Sequence, residues 1–250
     1  MDVLREWLEA TKHLPREAFN LHYRYVVPSS ANVPPLLVVW TPYRVNRFAE
    51  AHNDKCPLCT KGAHSQELFK GKYAPFKVFP NKYPASLGHT VIVHEKHVEK
   101  NVDAQELSVM QRFCRETGYR VVRNMRGAGA SLPSHEHFQG FLERMPVENF
   151  SRKRVAEKTV LEGYPCRHFA AEGDEAPVKA AAFIAGLKEP YTVTVCPELI
   201  VVFPFRKASG PDAVGAIHAS GMATYTKRSD FDNATFESLA ADMADTIGPA

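Results

Sequence analysis

Apolar positions fall in short blocks along the chain, and each block predicts an element. Leu4 to Ala10 carries one short helical pattern, followed by a polar lead-in to about residue 27. Pro28 to Pro35 is rich in chain breakers, and Leu36-Leu37-Val38-Val39-Trp40 then reads as a buried strand. Phe76-Lys77-Val78-Phe79 has the period of a half-buried strand, Pro80 to Pro84 is a turn, and Thr90-Val91-Ile92-Val93 is a further strand. Asp103 and Glu106 have capping-box spacing ahead of Leu107, Met110 and Cys114 at helical intervals, with Gly118 as the stop. Tyr119 to Val122 returns as strand. The glycine-containing loop Gly127 to Ser134 leads into His135 to Leu142, the expected last strand of this half. Residues 144–175 are mostly polar. Val178 to Leu187 is helical in pattern, Leu199 to Phe203 is a strand, and Phe236, Leu239, Met243 and Ile247 mark a C-terminal amphipathic helix. No exact repeat is visible, but both halves run from apolar strand to helix, so a degenerate duplication within one continuous α+β body is allowed.

Composition narrows the class. The chain has 250 residues, 44% of them hydrophobic and 24% charged, with a net charge of +3. That is an ordinary globular balance, which does not demand nucleic acid and does not repel an anionic substrate. Charges near Met1 replace the apolar core of a signal peptide, and no apolar run approaches the roughly 20 residues that span a bilayer. Five cysteines, two of them in Cys56-Pro57-Leu58-Cys59, point to a reducing, cytoplasmic setting with metal or thiol chemistry instead of a disulfide framework.

The sharpest chemical signal is His135-Glu136-His137-Phe138-Gln139. On a strand, His135, His137 and Gln139 share one face, because side chains alternate. Imidazole is neutral and nucleophilic near pH 7 and suits attack on phosphorus, and an adjacent amide can donate to a phosphoryl oxygen. The plainer reading is a polar strand edge or a chance metal pair. Cys56 and Cys59 form a metal half-site, and His97 and His135 could complete a tetrahedron; a redox pair or two core thiols is the alternative. Asn81, Lys82 and Asn124 lie at strand ends, where an amide can meet a ribose or phosphate or simply hold its own turn. Arg44, Arg47, Arg123 and Arg126 are phosphate-capable.

Taken in order, these motifs resemble the histidine-triad superfamily, in the branch of galactose-1-phosphate uridylyltransferase, dinucleoside tetraphosphate phosphorylase and GDP-hexose phosphorylase. The resemblance is carried by Arg44 and Arg47, Cys56 to Cys59, Phe79 to Ala85, Gly88 to Val93, His97, and Gly129-Ala130-Ser131-Leu132 leading into His135 to Gln139. It covers roughly residues 36–142. It implies an α+β, HIT-like antiparallel sheet with packed helices, made of two degenerate halves. Residues 1–35 would be a lead-in, 36–150 the catalytic half with its zinc knuckle, and 151–250 a second half completing the substrate site. It implies structural zinc on Cys56, Cys59, His97 and His135, with His137 as nucleophile and Gln139 steadying a nucleotidyl-histidine. Arg44, Arg47, Asn81, Lys82, Asn124 and Ser131 would meet a nucleotide or nucleotide-sugar donor, and Arg206 or Lys207 a phosphate-bearing acceptor. Glutamine at position 139 favours transfer or phosphorolysis, where hydrolases of the superfamily carry histidine. A hydrolase and a nucleotide-binding zinc protein without turnover are the rival readings, and a homodimer is compatible with all three. Glu136 stands where uridylyltransferases have proline, and Ser134 looks like an insertion before His135.

Overall fold

The computed structural model describes residues 2–48, 56–59, 66–155, 158–210 and 214–250, with the backbone alone for 46–48. The strands are β1 (His22–Val26), β2 (Leu36–Trp40), β3 (Phe76–Pro80), β4 (Thr90–His94), β5 (Arg120–Asn124), β6 (His137–Phe141), β7 (Arg152–Val155), β8 (Lys158–Leu161), β9 (Phe169–Glu172), β10 (Tyr191–Val195), β11 (Leu199–Pro204) and β12 (Met222–Tyr225). The helices are α1 (Val3–Thr11), α2 (Ala104–Thr117), α3 (Ala176–Ala185), α4 (Ala216–Ala219), α5 (Arg228–Asn233) and α6 (Phe236–Thr246). Among the described residues no helix is long and apolar enough to cross a membrane.

Local chemistry accounts for the best-defined elements. α2 opens on a reciprocal capping box between Asp103 and Glu106 and closes on Gly118 in the left-handed conformation. β2 is the apolar run Leu36–Trp40, with Leu36 to Val39 buried on both faces. Three other regions depart from the sequence pattern. The polar lead-in contains β1, an edge strand paired with β2, with Tyr23 and Tyr25 exposed and Val26 buried in the core. The polar stretch 144–175 contains β7, β8 and β9. Tyr191–Val195, a stretch with no expected element, is the central strand of the larger sheet and is buried throughout.

Nine strands form one sheet in the order β3-β4-β6-β5-β10-β11-β9-β8-β7, each antiparallel to its neighbours. The order repeats about the β5–β10 seam. Outward from it run β5-β6-β4-β3 on one side and β10-β11-β9-β8 on the other, with α2 preceding β5 and α3 preceding β10. The strand matching β6 is β11, whose Leu199–Pro204 is apolar and wholly buried, so the second copy carries no imidazole at that place.

One face of the sheet packs on α2 and α3 through Phe138, Val121, Ile200 and Val202. The other packs through Phe141, Val122, Val201 and Phe203 on the small sheet β1-β2-β12 and on α6. Within that small sheet β12 runs parallel to β2, pairing Met222 with Leu37. Gly140 shows how closely β6 is enclosed. A Cβ there would lie 2.4 Å from Thr90 Oγ1 and 3.1 Å from Tyr119 Cδ1. Gly140→Ala is therefore expected to cost about 1–3 kcal/mol by overpacking, measured as a lower denaturation midpoint with an unchanged denaturant slope; an unshifted midpoint would show that the strands yield there.

Candidate active site and metal centre

β6 begins at His137, two residues later than its pattern suggests, and this sorts the motif into two groups. His137 and Gln139 lie on the strand and share the face turned away from α2 and α3, the face on which Phe141 packs. His135 sits in the bend before the strand, so it does not line the same wall. Its ring is swung aside because Nε2 donates to the His94 carbonyl at 2.8 Å, which aims Nδ1 at the two cysteines.

There Nδ1 of His135 lies 3.4 Å from Cys56 Sγ and 3.3 Å from Cys59 Sγ, and Cys59 Sγ lies 3.1 Å from His97 Nδ1. The four ligand atoms are within 4.8 Å of one another. A zinc tetrahedron with thiolate and imidazole ligands has sulfur–nitrogen edges of about 3.5 Å, so the donor set fits a metal ion. The His94 carbonyl supplies the outer hydrogen bond that fixes a ligating histidine. Purified protein is expected to carry close to one equivalent of metal, and Cys56→Ser to weaken its binding by roughly 100-fold or more. Metal-free protein from a non-chelating preparation would count against the cluster as a metal centre.

The His137 ring is half-buried, and Nδ1–H donates to the His135 carbonyl at 2.8 Å. That contact leaves the lone pair on Nε2. Burial pushes the imidazole pKa down to about 4, with Arg123 adding to the shift, so the ring is neutral at pH 7. Such a nitrogen is a competent nucleophile. Asn124, two residues beyond the last β5–β6 pair, Val122 with Gln139, lines the same cavity as His137. Its Oδ1 accepts from Ala216 N–H at 2.6 Å, which leaves its amide nitrogen as a donor.

The other sequence-expected residues are spread more widely. Asn81 Oδ1 accepts from Tyr83 N–H at 2.8 Å, holding its own turn, while its Nδ2 comes within 3.3 Å of His89 Nε2. Arg44 is buried and donates to the Tyr83 carbonyl at 2.6 Å, bracing the same turn. The Arg47 side chain lies outside the described residues. Lys82 is exposed over the Tyr83 ring, and Ser131 is exposed in the glycine loop. Arg206 and Lys207 are exposed beside Asp245, with Lys207 Nζ 2.6 Å from its carboxylate. The loop itself is clamped by the second half of the chain. Gly129 has φ +83° and would place a Cβ 2.8 Å from Gly215 Cα, and its N–H donates to the Ser209 carbonyl.

Two features escape the sequence reading. His89, wholly buried and stacked on Phe141 with centroids 4.4 Å apart, stands 3.1 Å from Gln139 Oε1. The only local signal for it is a histidine between glycine and an apolar strand. On the opposite face of the sheet, Glu136 and Arg123 form a buried ion pair at 2.5 Å. The Glu136 carboxyl is nonetheless pushed up to about 7, because burial and the nearby Glu106 outweigh the guanidinium.

Comparison with known proteins follows the same lines. The family described as "Domain of unknown function (DUF4922)" matches residues 19–142. No curated protein matches the sequence. Yeast Ap4A phosphorylase Apa2 in complex with Ap4A superposes with a TM-score of 0.72 at 15% identity, over 99% of this chain and 96% of that one. Its complex with AMP gives 0.71 at 15% identity, over 99% and 95%. The chain has the HIT-like fold of the Ap4A phosphorylases. This is the branch that the motifs resemble, and its α+β architecture is the one expected. An ADP-glucose phosphorylase from Arabidopsis thaliana is a looser likeness, with a TM-score of 0.39 at 14% identity over 89% of this chain and 98% of that one.

Proposed function

We propose that the protein transfers a nucleoside monophosphate from a nucleotide donor to a phosphate-bearing acceptor through a covalent adduct on His137. The observation that carries this reading is a neutral imidazole whose Nδ1 is bound to a carbonyl, which leaves the lone pair on Nε2, two residues from the Gln139 amide on one strand face. In the first half-reaction His137 Nε2 bonds to the α-phosphorus while the bond from phosphorus to the leaving oxygen breaks, and the leaving group takes the electron pair. In the second, an acceptor phosphate oxygen bonds to the same phosphorus and the N–P bond breaks. No proton is gained or lost by the donor, which suits a site whose neighbouring side chain is an amide and not an acid. A leaving group that is itself a phosphate departs as a stable anion without general-acid help. Donors are therefore dinucleoside polyphosphates or nucleoside diphosphate sugars, and phosphorolysis or transfer is favoured over hydrolysis.

The Gln139 and Asn124 amides would meet the phosphoryl oxygens and ribose, and preorganised donors of this kind supply much of the acceleration in such chemistry. Cys56, Cys59, His97 and His135 would hold zinc. Four protein ligands leave it no open position, so its contribution would be to anchor the bend before β6. The Ap4A phosphorylase likeness supports a dinucleotide among the first donors to test.

The test is a panel of labelled dinucleoside polyphosphates and nucleoside diphosphate sugars, with and without inorganic phosphate or sugar 1-phosphate. An acid-labile protein adduct is expected, discharged on adding the acceptor. Nucleotide binding with no adduct or turnover across the panel would instead mark a binding protein, and product release at a rate indifferent to acceptor would mark a hydrolase.

A further inference from the structure

We propose that His89 is a positioning residue that orients Gln139 for the reaction at His137, an inference that rests on the nucleophile reading above. A glutamine amide can sit in either of two flipped orientations, and only one presents N–H donors to a phosphoryl oxygen. The hydrogen bonds around His89 select between them.

Ala85 N–H donates to His89 Nδ1 at 2.9 Å. A backbone N–H has no other role there, so Nδ1 must carry the lone pair and the neutral ring must carry its proton on Nε2. Nε2–H therefore donates to Gln139 at 3.1 Å, and the atom it meets must be the amide oxygen. Asn81 Nδ2, 3.3 Å from the same nitrogen, does not reverse this. Its own orientation is set by Tyr83 N–H on Oδ1, so it approaches as a second donor and not as an acceptor. With its oxygen engaged, Gln139 keeps its amide nitrogen for the strand face it shares with His137.

The ring is held by more than this chain of bonds. It stacks on Phe141 with planes 21° apart. Its carbonyl accepts from Trp7 Nε1 and from Asn81 N, both at 2.9 Å, tying α1 and the turn after β3 to one backbone atom. The imidazole is thus a rigid support, 50 residues from Gln139 in sequence and buried beneath it.

Two measurements test the assignment. Nitrogen-15 NMR of the whole protein reads the His89 tautomer without any donor substrate. A proton on Nε2 is expected, and a proton on Nδ1 overturns the proposal even if His137 is the nucleophile. Single-turnover adduct formation with an active donor supplies a double-mutant cycle. His89→Phe keeps the stack and loses the donor, and should slow the step roughly 10- to 100-fold. In the Gln139→Ala background the same change should add less than about threefold, because the residue through which it acts is gone. Losses that multiply would show a merely structural role and overturn the proposal. His89→Gln, whose amide nitrogen falls near the place of Nε2, should recover much of the rate and replaces His89→Phe if that variant does not fold. Absence of any adduct in the unaltered protein sinks the nucleophile reading, and the tautomer then still decides how Gln139 is held.

Discussion

His137→Ala is expected to abolish the adduct and to slow turnover by about 10,000-fold or more, the scale on which removal of a covalent nucleophile acts. That factor corresponds to about 5.4 kcal/mol of transition-state stabilisation. The protein should otherwise survive the change. The ring is half-buried and, among the described residues, hydrogen-bonds to the His135 carbonyl, so metal content and melting temperature should stay close to those of the parent. Nucleotide affinity should fall far less than the rate, because the Gln139 and Asn124 amides remain. The decisive comparison is adduct yield against metal content in the same preparation. An adduct of undiminished yield, from every donor that reacts with the parent, would falsify the assignment of His137.

The largest stability effect is expected on the other face of the same sheet. Arg123→Met removes the partner of Glu136 and leaves a carboxylate with essentially no exposed side-chain surface. Breaking a buried ion pair from one side costs about 3–5 kcal/mol, because the remaining charge has lost its compensation. The cost should depend on pH, and its sign follows from the raised carboxyl. Folded Glu136 titrates at about 7, above the ordinary 4.5 of a free glutamate. The folded state therefore holds a proton that the unfolded state has released, and stability falls as pH rises between those two values. Removing the guanidinium raises the folded value further. Arg123→Met should accordingly lose more stability at pH 8 than at pH 5, where the carboxyl can stay neutral. Denaturant titrations at the two pH values measure this, and equal losses would show that Glu136 escapes to water.

Glu136 is also the position where the sequence departs from the uridylyltransferase pattern, and the structure gives that departure a physical content. Proline would have no charge to bury. Glutamate here reaches the side of the sheet covered by α2, where Arg123, Glu106 and Lys100 form a charged cluster beneath the strand. The histidines on either side keep their own contacts, His135 to His94 and His137 to His135, so the substitution leaves both rings in place.

The sequence by itself determined what depends on neighbours along the chain. The capping box of α2, the apolar run of β2, the Cys-x-x-Cys half-site and the His137/Gln139 spacing are local patterns, and their energetics act within a few residues. The tertiary structure alone decided what depends on partners far away. It made Tyr191–Val195, where no element was expected, a strand buried on both faces by placing it at the centre of nine. It drew His22–Val26 into a sheet that the polar lead-in did not announce. It brought His135 and His97 to the cysteines, set His89 beneath Gln139, and turned Asn124 toward the backbone of α4. Periodicity records which face of an element is apolar. It does not record which distant element covers that face, and the hydrogen-bond partner that selects a tautomer or an amide flip is known only once the cover is in place.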